Sequence, residues 1–142
     1  MASGNDDLAG IRRLYDREAG RYDRALEGRF GRWLLRGGRE KAAQYAKGRL
    51  LEVGIGSGST LALYQPEVRV TGIDISTGML AIARTRLERL GREADLREMD
   101  AQALDFPEHS FDSVAFNLCL CTIPDPARAL REAIRVAKPA RR

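Results

Sequence analysis

The sequence has few of the residues from which metal centres, disulfides and membrane spans are built. Its 142 residues include one histidine and two cysteines. Cys119 and Cys121 are separated by one residue, too close for an ordinary disulfide or a complete zinc site, and this usage is typical of a reducing compartment. No apolar run approaches the roughly 20 residues of a membrane span, and the polar start MASGNDD is unlike a signal peptide. We therefore expect a cytoplasmic protein without a metal site.

The composition indicates an ordinary globular protein. Hydrophobic residues make up 44% of the chain and charged residues 31%, proportions that exclude disordered and fibrous classes. A chain of this length forms one domain. We predict a single domain over 1–142, with a helical N-terminal cover at 1–48 and a cofactor-binding half at 49–142.

Positive charge is concentrated in the N-terminal third. Residues 1–49 carry 12 Lys and Arg against 7 Asp and Glu, whereas residues 50–142 carry 12 against 13. This excess is either a solvated helical face or an attraction to an anionic surface such as phospholipid or nucleic acid. Because the segment has no zinc-finger or helix-turn-helix pattern and no aromatic stacking signature, we expect no nucleic-acid partner.

The stretch LLEVGIGSGS, from Leu50 to Ser59, has the pattern of a cofactor loop. Its apolar start predicts the end of a buried strand. Gly54, Gly56 and Gly58 then allow a sharp turn and the close approach of a ligand. Glu52 precedes the turn, at the carboxyl end of the strand, where open α/β sheets bind their ligands.

Strand and helix signals alternate after this loop. Strands are predicted at 49–54, 68–74, 94–99 and 111–117. Helices are predicted from Thr60, after a Ser76 cap as far as Gly91, and from Asp125-Pro126 with Leu130 and Ile134 facing inward. Two further helices precede the first strand, and the glycine pair 37–38 is expected to interrupt the second. This order predicts a Rossmann-like parallel sheet with helices on both faces.

The residues leave two cofactors open. A nicotinamide dinucleotide needs a glycine turn and a carboxylate about 20 residues further on, which Gly54, Gly56 and Asp74 could supply. S-adenosylmethionine is favoured by Glu52, because a carboxylate suits a cationic amino-acid end and repels a pyrophosphate. The acidic-small pair Asp100-Ala101 favours S-adenosylmethionine as well.

These motifs together resemble the class I S-adenosylmethionine-dependent methyltransferases, in particular the ubiquinone/menaquinone C-methyltransferases and bacterial phospholipid N-methyltransferases. The similar stretches are LLEVGIGSGS, VTGIDIS followed by Met79-Leu80, MDAQALDFPEHSFDSV, LCTIPDP with the helix after it, and the opening YDREAGRYD. The resemblance implies a methyltransferase-type domain that binds S-adenosylmethionine and releases S-adenosylhomocysteine.

The resemblance also implies how this chain would hold the donor. Glu52, with the backbone from Gly54 to Gly58, would bind the methionine moiety, and Asp74 would accept both ribose hydroxyls.

At the adenine end, the resemblance assigns Ile75 and Met79 to the walls of the pocket. Asp100 would accept the adenine amino group, and the backbone amide of Ala101 would donate to a ring nitrogen.

At the methyl end, the resemblance places Asn117 beneath the methionine moiety, with Leu118 and Cys119 near the transferred methyl. Tyr22 and Tyr15 of the first helix would close the site. No catalytic residue is identified, which agrees with a direct displacement that needs alignment more than a general base.

The chain departs from the family after the fourth strand and its helix. In the family, Lys-Pro-Gly-Gly leads to a fifth strand and two further strands, whereas here Lys138-Pro139 is followed by three residues. We expect a sheet of order 3-2-1-4 without the later strands. Its fourth strand, with Val114 and Phe116, would be an apolar edge that favours a homodimer or poor solubility.

Three functions follow from the sequence. The favoured one is a methyltransferase acting on a small-molecule or lipid acceptor, such as a phospholipid amine or a quinol precursor, with peripheral contact to an anionic membrane. The second is a non-catalytic fold that binds S-adenosylmethionine. The third is an NAD-dependent oxidoreductase.

Overall fold

The fold is a four-stranded parallel sheet with helices on both faces. The computed structural model describes residues 4–117 and 119–140, apart from the side chains at 4–6, 26–27, 30–32 and 34–36. The elements in chain order are α1 (Gly4–Glu27), α2 (Arg29–Tyr45), β1 (Arg49–Val53), β2 (Arg69–Asp74), α3 (Thr77–Leu90), β3 (Asp95–Glu98), β4 (Ser113–Phe116) and α4 (Pro126–Val136). Short 3₁₀ turns occur at Leu61–Leu63 and Leu120–Thr122.

The sheet has the predicted strand order, β3-β2-β1-β4. All of its pairings are parallel, with Leu51 opposite Thr71 on β2 and Val114 on β4. Since parallel strands end at the same edge, Glu52, Asp74 and the residues after β3 come together there. The predicted fold class is confirmed.

Side chains alternate between two cores, one on each face of the sheet. Leu50 points into the first core, and its neighbours Leu51 and Val53 point into the second. Large side chains of the first core include Ile55, Leu61, Tyr64, Val68, Val70, Leu80 and Leu87. The second contains Ile73, Leu104, Phe111 and Val136, with Val114 and Phe116 of the edge strand half-buried against it.

The predicted caps of α3 and α4 act where they were expected, whereas the helix predicted from Thr60 forms only the three-residue 3₁₀ turn Leu61–Leu63. The Ser76 hydroxyl accepts a 3.1 Å hydrogen bond from Met79 N, and Gly91 ends α3 in the left-handed region with φ of 60°. Asp125 accepts a 3.0 Å hydrogen bond from Arg128 N, with Pro126 as the first residue of α4. Local capping chemistry therefore sets both helix starts.

The expected interruption at the glycine pair 37–38 is wrong, because α2 runs unbroken from Arg29 to Tyr45. Glycine weakens a helix by about 1 kcal/mol relative to alanine but does not break its hydrogen bonds. Neither Gly37 nor Gly38 has an atom within 4 Å of the place where a Cβ would lie. Close packing is therefore not what requires glycine at these positions.

The inward face of α4 also differs from the prediction. Leu130 and Ile134 are 43% and 74% exposed, whereas Ala129, Ala133 and Val136 are buried. The buried residues follow one another at steps of four and three, as one helical stripe does. The buried stripe therefore carries two alanines and a valine, and the larger side chains of Leu130 and Ile134, one position further on from the alanines, are turned to solvent.

A similar correction applies to the end of α3. Met79, Ala83 and Leu87 are buried as predicted and Ile82 is half-buried, but Leu90 is 39% exposed.

Among the described helices, none is long and apolar enough to cross a membrane.

Candidate functional site

A cavity opens at the carboxyl ends of β1 and β2, beneath α1. The three carboxylates that line it are Glu52, Asp74 and Asp100, which come at or just after the ends of β1, β2 and β3. Leu8, Ile11, Tyr15 and Tyr22 of α1 form its cover. The N-terminal helix predicted as a cover therefore forms a wall of the cavity.

Glu52 is a fully buried carboxylate with its own set of donors. Thr60 Oγ1 lies 2.6 Å from its Oε1, Asn117 Nδ2 lies 2.8 Å from the same oxygen, and Tyr64 OH lies 3.0 Å from Oε2. Burial raises the pKa of the Glu52 carboxyl, and these three hydrogen bonds act in the opposite direction. The site thus presents a fixed carboxylate that a bound cation would favour in its ionised form.

Asp74 ties the glycine loop to the end of β2. Its Oδ2 accepts a 2.9 Å hydrogen bond from Gly56 N, and its Oδ1 accepts one of 2.9 Å from Ser76 N. Burial raises the pKa of the Asp74 carboxyl, against the lowering effect of these backbone donors. Each carboxylate oxygen has further acceptor capacity toward the cavity.

The glycine loop has the backbone shape that a ligand cradle requires. Gly54 and Gly56 have φ of 70° and 57°, and the amides of Gly54 and Ile55 both donate to Ile73 O at 2.9 and 3.0 Å. A Cβ at Gly54 would lie 2.5 Å from Cys119 Cβ. The third glycine, Gly58, does not line the cavity, because it faces Leu61 and Ala83 and packs the loop onto α3.

The other end of the cavity is apolar, with one acidic edge. Ile75, Met79 and Met99 line it together with Asp100 and Ala101. The Asp100 carboxylate accepts hydrogen bonds from Gln102 N at 2.9 Å and Gln102 Nε2 at 3.1 Å. Such a pocket has the shape and polarity that suit a flat heterocycle with an exocyclic amine.

Two tyrosines of α1 cover the cavity. The rings of Tyr15 and Tyr22 meet edge to face, with centroids 5.6 Å apart. Burial raises the pKa of both phenols, so they stay neutral at physiological pH.

The structure gathers most of the predicted donor-binding residues at this one cavity. Those that line it are Tyr22, Glu52, Gly54, Gly56, Asp74, Ile75, Met79, Asp100, Ala101 and Asn117. Gly58 lies behind the loop, and Leu118 is outside the described residues. Their roles in binding stay predictions.

Sequence reasoning missed the residues that hold Glu52 in place. Thr60 and Tyr64 stand four residues apart around the first 3₁₀ turn, and both reach Glu52. Their spacing of four residues is a signal from which the sequence could have predicted them. No such signal exists for Arg39 of α2, which also lines the cavity, because its position depends on how the helix packs.

Cys119 lines the cavity with a thiol that is hydrogen-bonded to the backbone. Its Sγ donates to Val53 O at 3.2 Å, and burial raises the pKa of the thiol to about 12. Across 4–117 and 119–140, no group of three His, Cys, Asp or Glu side chains could hold a metal ion.

Comparison with known proteins identifies what this arrangement is similar to. Residues 51–140 match the family model of a methyltransferase domain. A phosphatidylethanolamine N-methyltransferase of Cereibacter sphaeroides is 47% identical over 93 residues, which are 64% of this chain and 46% of that protein. The ubiquinone/menaquinone biosynthesis C-methyltransferase UbiE of Desulfotalea psychrophila is 34% identical over 140 residues, or 92% of this chain and 54% of that protein.

Solved structures have the same fold. A SAM-dependent methyltransferase of Thermotoga maritima, described as a possible histamine N-methyltransferase, superposes with a TM-score of 0.65 at 26% identity. The superposition covers 89% of this chain and 56% of the other. The chain thus spans about half the length of the relatives it matches.

Proposed function

The chain belongs to the methyltransferase domain family, whose cofactor is S-adenosylmethionine, and on that premise we propose that it methylates the amine of a phospholipid headgroup. The observation that carries the proposal is the cavity in which Glu52, Asp74 and Asp100 converge from adjacent strands. Each carboxylate matches a different polar part of the donor.

The side chains that line the cavity are of the kinds that S-adenosylmethionine needs. Buried Glu52 suits the ammonium of the methionine end, and Asp74 suits the paired ribose hydroxyls. Ile75 and Met79 suit the two sides of an adenine ring, with Asp100 at its amino group. A dinucleotide fits poorly, since Glu52 would repel its pyrophosphate.

The residues of the chain serve mainly to align donor and acceptor. When bound, S-adenosylmethionine would supply a methyl group on a positively charged sulfur: a neutral amine would attack the methyl carbon, the N–C bond would form as the S–C bond breaks, and S-adenosylhomocysteine would leave. We expect the α1 cover, with Tyr15 and Tyr22 in the lining of the cavity, to limit the access of water. No base is required there, because the ammonium can lose its proton to water before it enters.

Two observations favour an amine over a quinol acceptor. Tyr15 and Tyr22 line the cavity, and aromatic rings attract a methylated ammonium more strongly than a neutral ring carbon. A phosphatidylethanolamine N-methyltransferase is 47% identical to this chain over 93 residues. The quinol alternative is supported by the 34% identity to UbiE, which extends over 92% of the chain.

A lipid acceptor calls for contact with a membrane surface, and the N-terminal helices have the charge for it. Their segment, 1–49, carries 12 basic against 7 acidic residues, and Trp33 of α2 is 73% exposed. A basic segment that carries an exposed tryptophan favours peripheral binding to anionic lipid. Binding that is equal to neutral and anionic vesicles would contradict this part of the proposal.

The homodimer through β4 stays a prediction. In the described part of the chain β4 forms one edge of the sheet, with its other side paired to β1. Light scattering over a concentration series tests it, and a constant monomer mass would exclude it.

The function is tested by incubating the chain with labelled S-adenosylmethionine and either phosphatidylethanolamine vesicles or a quinol precursor. A calorimetric titration of S-adenosylmethionine measures donor binding separately. Label in phosphatidylethanolamine is the expected result, and label in the quinol would favour the alternative. Donor binding without transfer to either would indicate the non-catalytic fold. Tight NAD binding without affinity for S-adenosylmethionine would overturn the proposal.

A further inference from the structure

Negatively charged side chains outnumber positively charged ones in the described lining of the cavity. Three carboxylates line it, from Glu52, Asp74 and Asp100. Of the lining side chains that the structure describes, Arg39 alone is a cation. A ligand that placed a negative group in this cavity would be repelled everywhere except near Arg39.

Arg39 lines the same cavity as Glu52 and Tyr22. It is half-buried on α2, and its positive charge acts against the burial that raises the pKa values of Glu52 and Tyr22. Glu52 itself is held by Thr60, Tyr64 and Asn117. A fixed carboxylate and a guanidinium therefore line the same cavity.

This pair has the charge pattern of a receptor for an amino acid. An α-amino acid carries an ammonium and a carboxylate on the same carbon, so a group whose ammonium meets Glu52 has its carboxylate within a few bonds of that contact. The planar guanidinium binds a carboxylate through two parallel hydrogen bonds. The methionine moiety of S-adenosylmethionine is such a zwitterion.

We propose that Arg39 binds the carboxylate of the methionine moiety of S-adenosylmethionine while Glu52 opposes its ammonium. This inference rests on the proposed function, because it takes the donor as the ligand of the cavity. It adds a residue from the helical cover to a site otherwise built from the strand ends, so the cover recognises the donor as well as enclosing it.

The test compares two ligands that differ only in the carboxylate. S-adenosylmethionine and decarboxylated S-adenosylmethionine are titrated by calorimetry into the wild-type chain and into Arg39→Gln. We expect the substitution to weaken S-adenosylmethionine roughly 10- to 100-fold, the range for a charged hydrogen-bonded pair. The decarboxylated ligand should change by less than about threefold, since it lacks the group that Arg39 binds.

Lys41→Gln is the matched control, because it removes one positive charge from an exposed position on the same helix. It should leave both affinities unchanged. If Arg39→Gln fails to fold, Arg39→Lys replaces it, because lysine keeps the positive charge but lacks the two parallel N–H donors of the guanidinium. That variant should also weaken S-adenosylmethionine selectively.

Equal losses for the two ligands would overturn the inference, because Arg39 would then act through Glu52 or the fold. Unchanged donor affinity with a raised KM for phosphatidylethanolamine would overturn it too, and would assign Arg39 to the headgroup phosphate. A wild-type chain that binds neither ligand would overturn the proposed function along with the inference. A loss of affinity for S-adenosylmethionine alone would support both the inference and the proposed function.

Discussion

The carboxylate of Asp16 accepts a 2.6 Å hydrogen bond from Ser76 Oγ, and it accepts a second, of 3.0 Å, from Gly78 N. Ser76 N in turn donates to Asp74 Oδ1 at 2.9 Å. A residue of the helical cover is therefore linked through one serine to the carboxylate assigned to the ribose. Gly78 permits this contact, since a Cβ there would lie 3.1 Å from the backbone oxygen of Asp16.

Replacing Asp16 with alanine should loosen α1 from the start of α3. The substitution leaves Ser76 Oγ and Gly78 N without their partner, and the loss of a comparable capping carboxylate costs about 0.5–2 kcal/mol. Denaturant unfolding of Asp16→Ala measures this loss. Asp7→Ala, an exposed acid on the same helix, should leave the free energy of unfolding unchanged.

The contribution of Asp16 has a defined pH dependence. The hydrogen bonds from Ser76 and Gly78 lower the pKa of Asp16 from its ordinary 3.8. A lowered pKa in the folded state means that the stabilisation is fully present above 3.8 and is lost as pH falls through the lower folded value. A stability difference between wild type and Asp16→Ala that persisted in strong acid would contradict this account.

Asp74→Ala should weaken S-adenosylmethionine by about 2 kcal/mol or more, because it removes a charged acceptor of two ribose hydroxyls. It also releases Gly56 N and Ser76 N, so unfolding should be measured beside calorimetric affinity. Asp95→Ala removes an exposed acid from β3 and should change neither. Unchanged affinity in Asp74→Ala would place the ribose elsewhere.

Glu52 should make donor binding weaken in mild acid. Burial raises its pKa above the ordinary 4.5, so it takes up a proton at a higher pH than a solvated glutamate does. The protonated form has no charge to oppose the ammonium, and affinity therefore falls as pH drops through the raised value. Glu52→Gln should bind about 1.5–3 kcal/mol more weakly near neutrality and lose that part of the pH dependence. Parallel pH profiles for the two proteins would argue against an ammonium at Glu52.

The sequence predicted those parts of the fold that depend on local chemistry. Ser76 and Asp125 cap their helices through hydrogen bonds to residues three positions away. A few consecutive residues of the sequence are therefore enough to predict each cap. Glu52 and Asp74 were found because parallel strands bring their carboxyl ends to one edge.

Features that depend on distant packing could not be read in this way. Arg39 reaches the cavity only because α2 packs beside the loop at that particular rotation. On α4, Leu130 and Ile134 form as good an apolar pair as the buried stripe does, and hydrophobicity alone favours them. The structure buries Ala129, Ala133 and Val136 instead, because the rotation of the helix depends on the packing of the whole chain.

The two faces of α4 should respond differently to truncation. Val136→Ala removes methyl groups from a fully buried side chain and should cost about 2 kcal/mol. Ile134→Ala removes more atoms from a side chain that is 74% exposed and should cost little. Comparable losses in denaturant unfolding would mean that Ile134 is covered in solution.

Gly54 and Gly91 illustrate two different reasons why a position requires glycine, namely a backbone with positive φ and a lack of space for a Cβ. Both have positive φ, 70° and 60°, which costs an alanine roughly 1–2 kcal/mol. A Cβ added at Gly91 would have nothing within 4 Å, whereas a Cβ at Gly54 would lie 2.5 Å from that of Cys119. Gly91→Ala should therefore lose only the conformational part of the stability and keep full donor affinity.

Gly54→Ala should lose more stability than Gly91→Ala and bind the donor more weakly, because the loop must shift away from Cys119. Cys119→Gly, which removes the opposing atoms, should restore part of both losses in the double variant. Denaturant unfolding and calorimetric titration of the three variants measure the two effects separately. Equal unfolding free energies for the two alanine variants would show that the loop yields to the added methyl without strain.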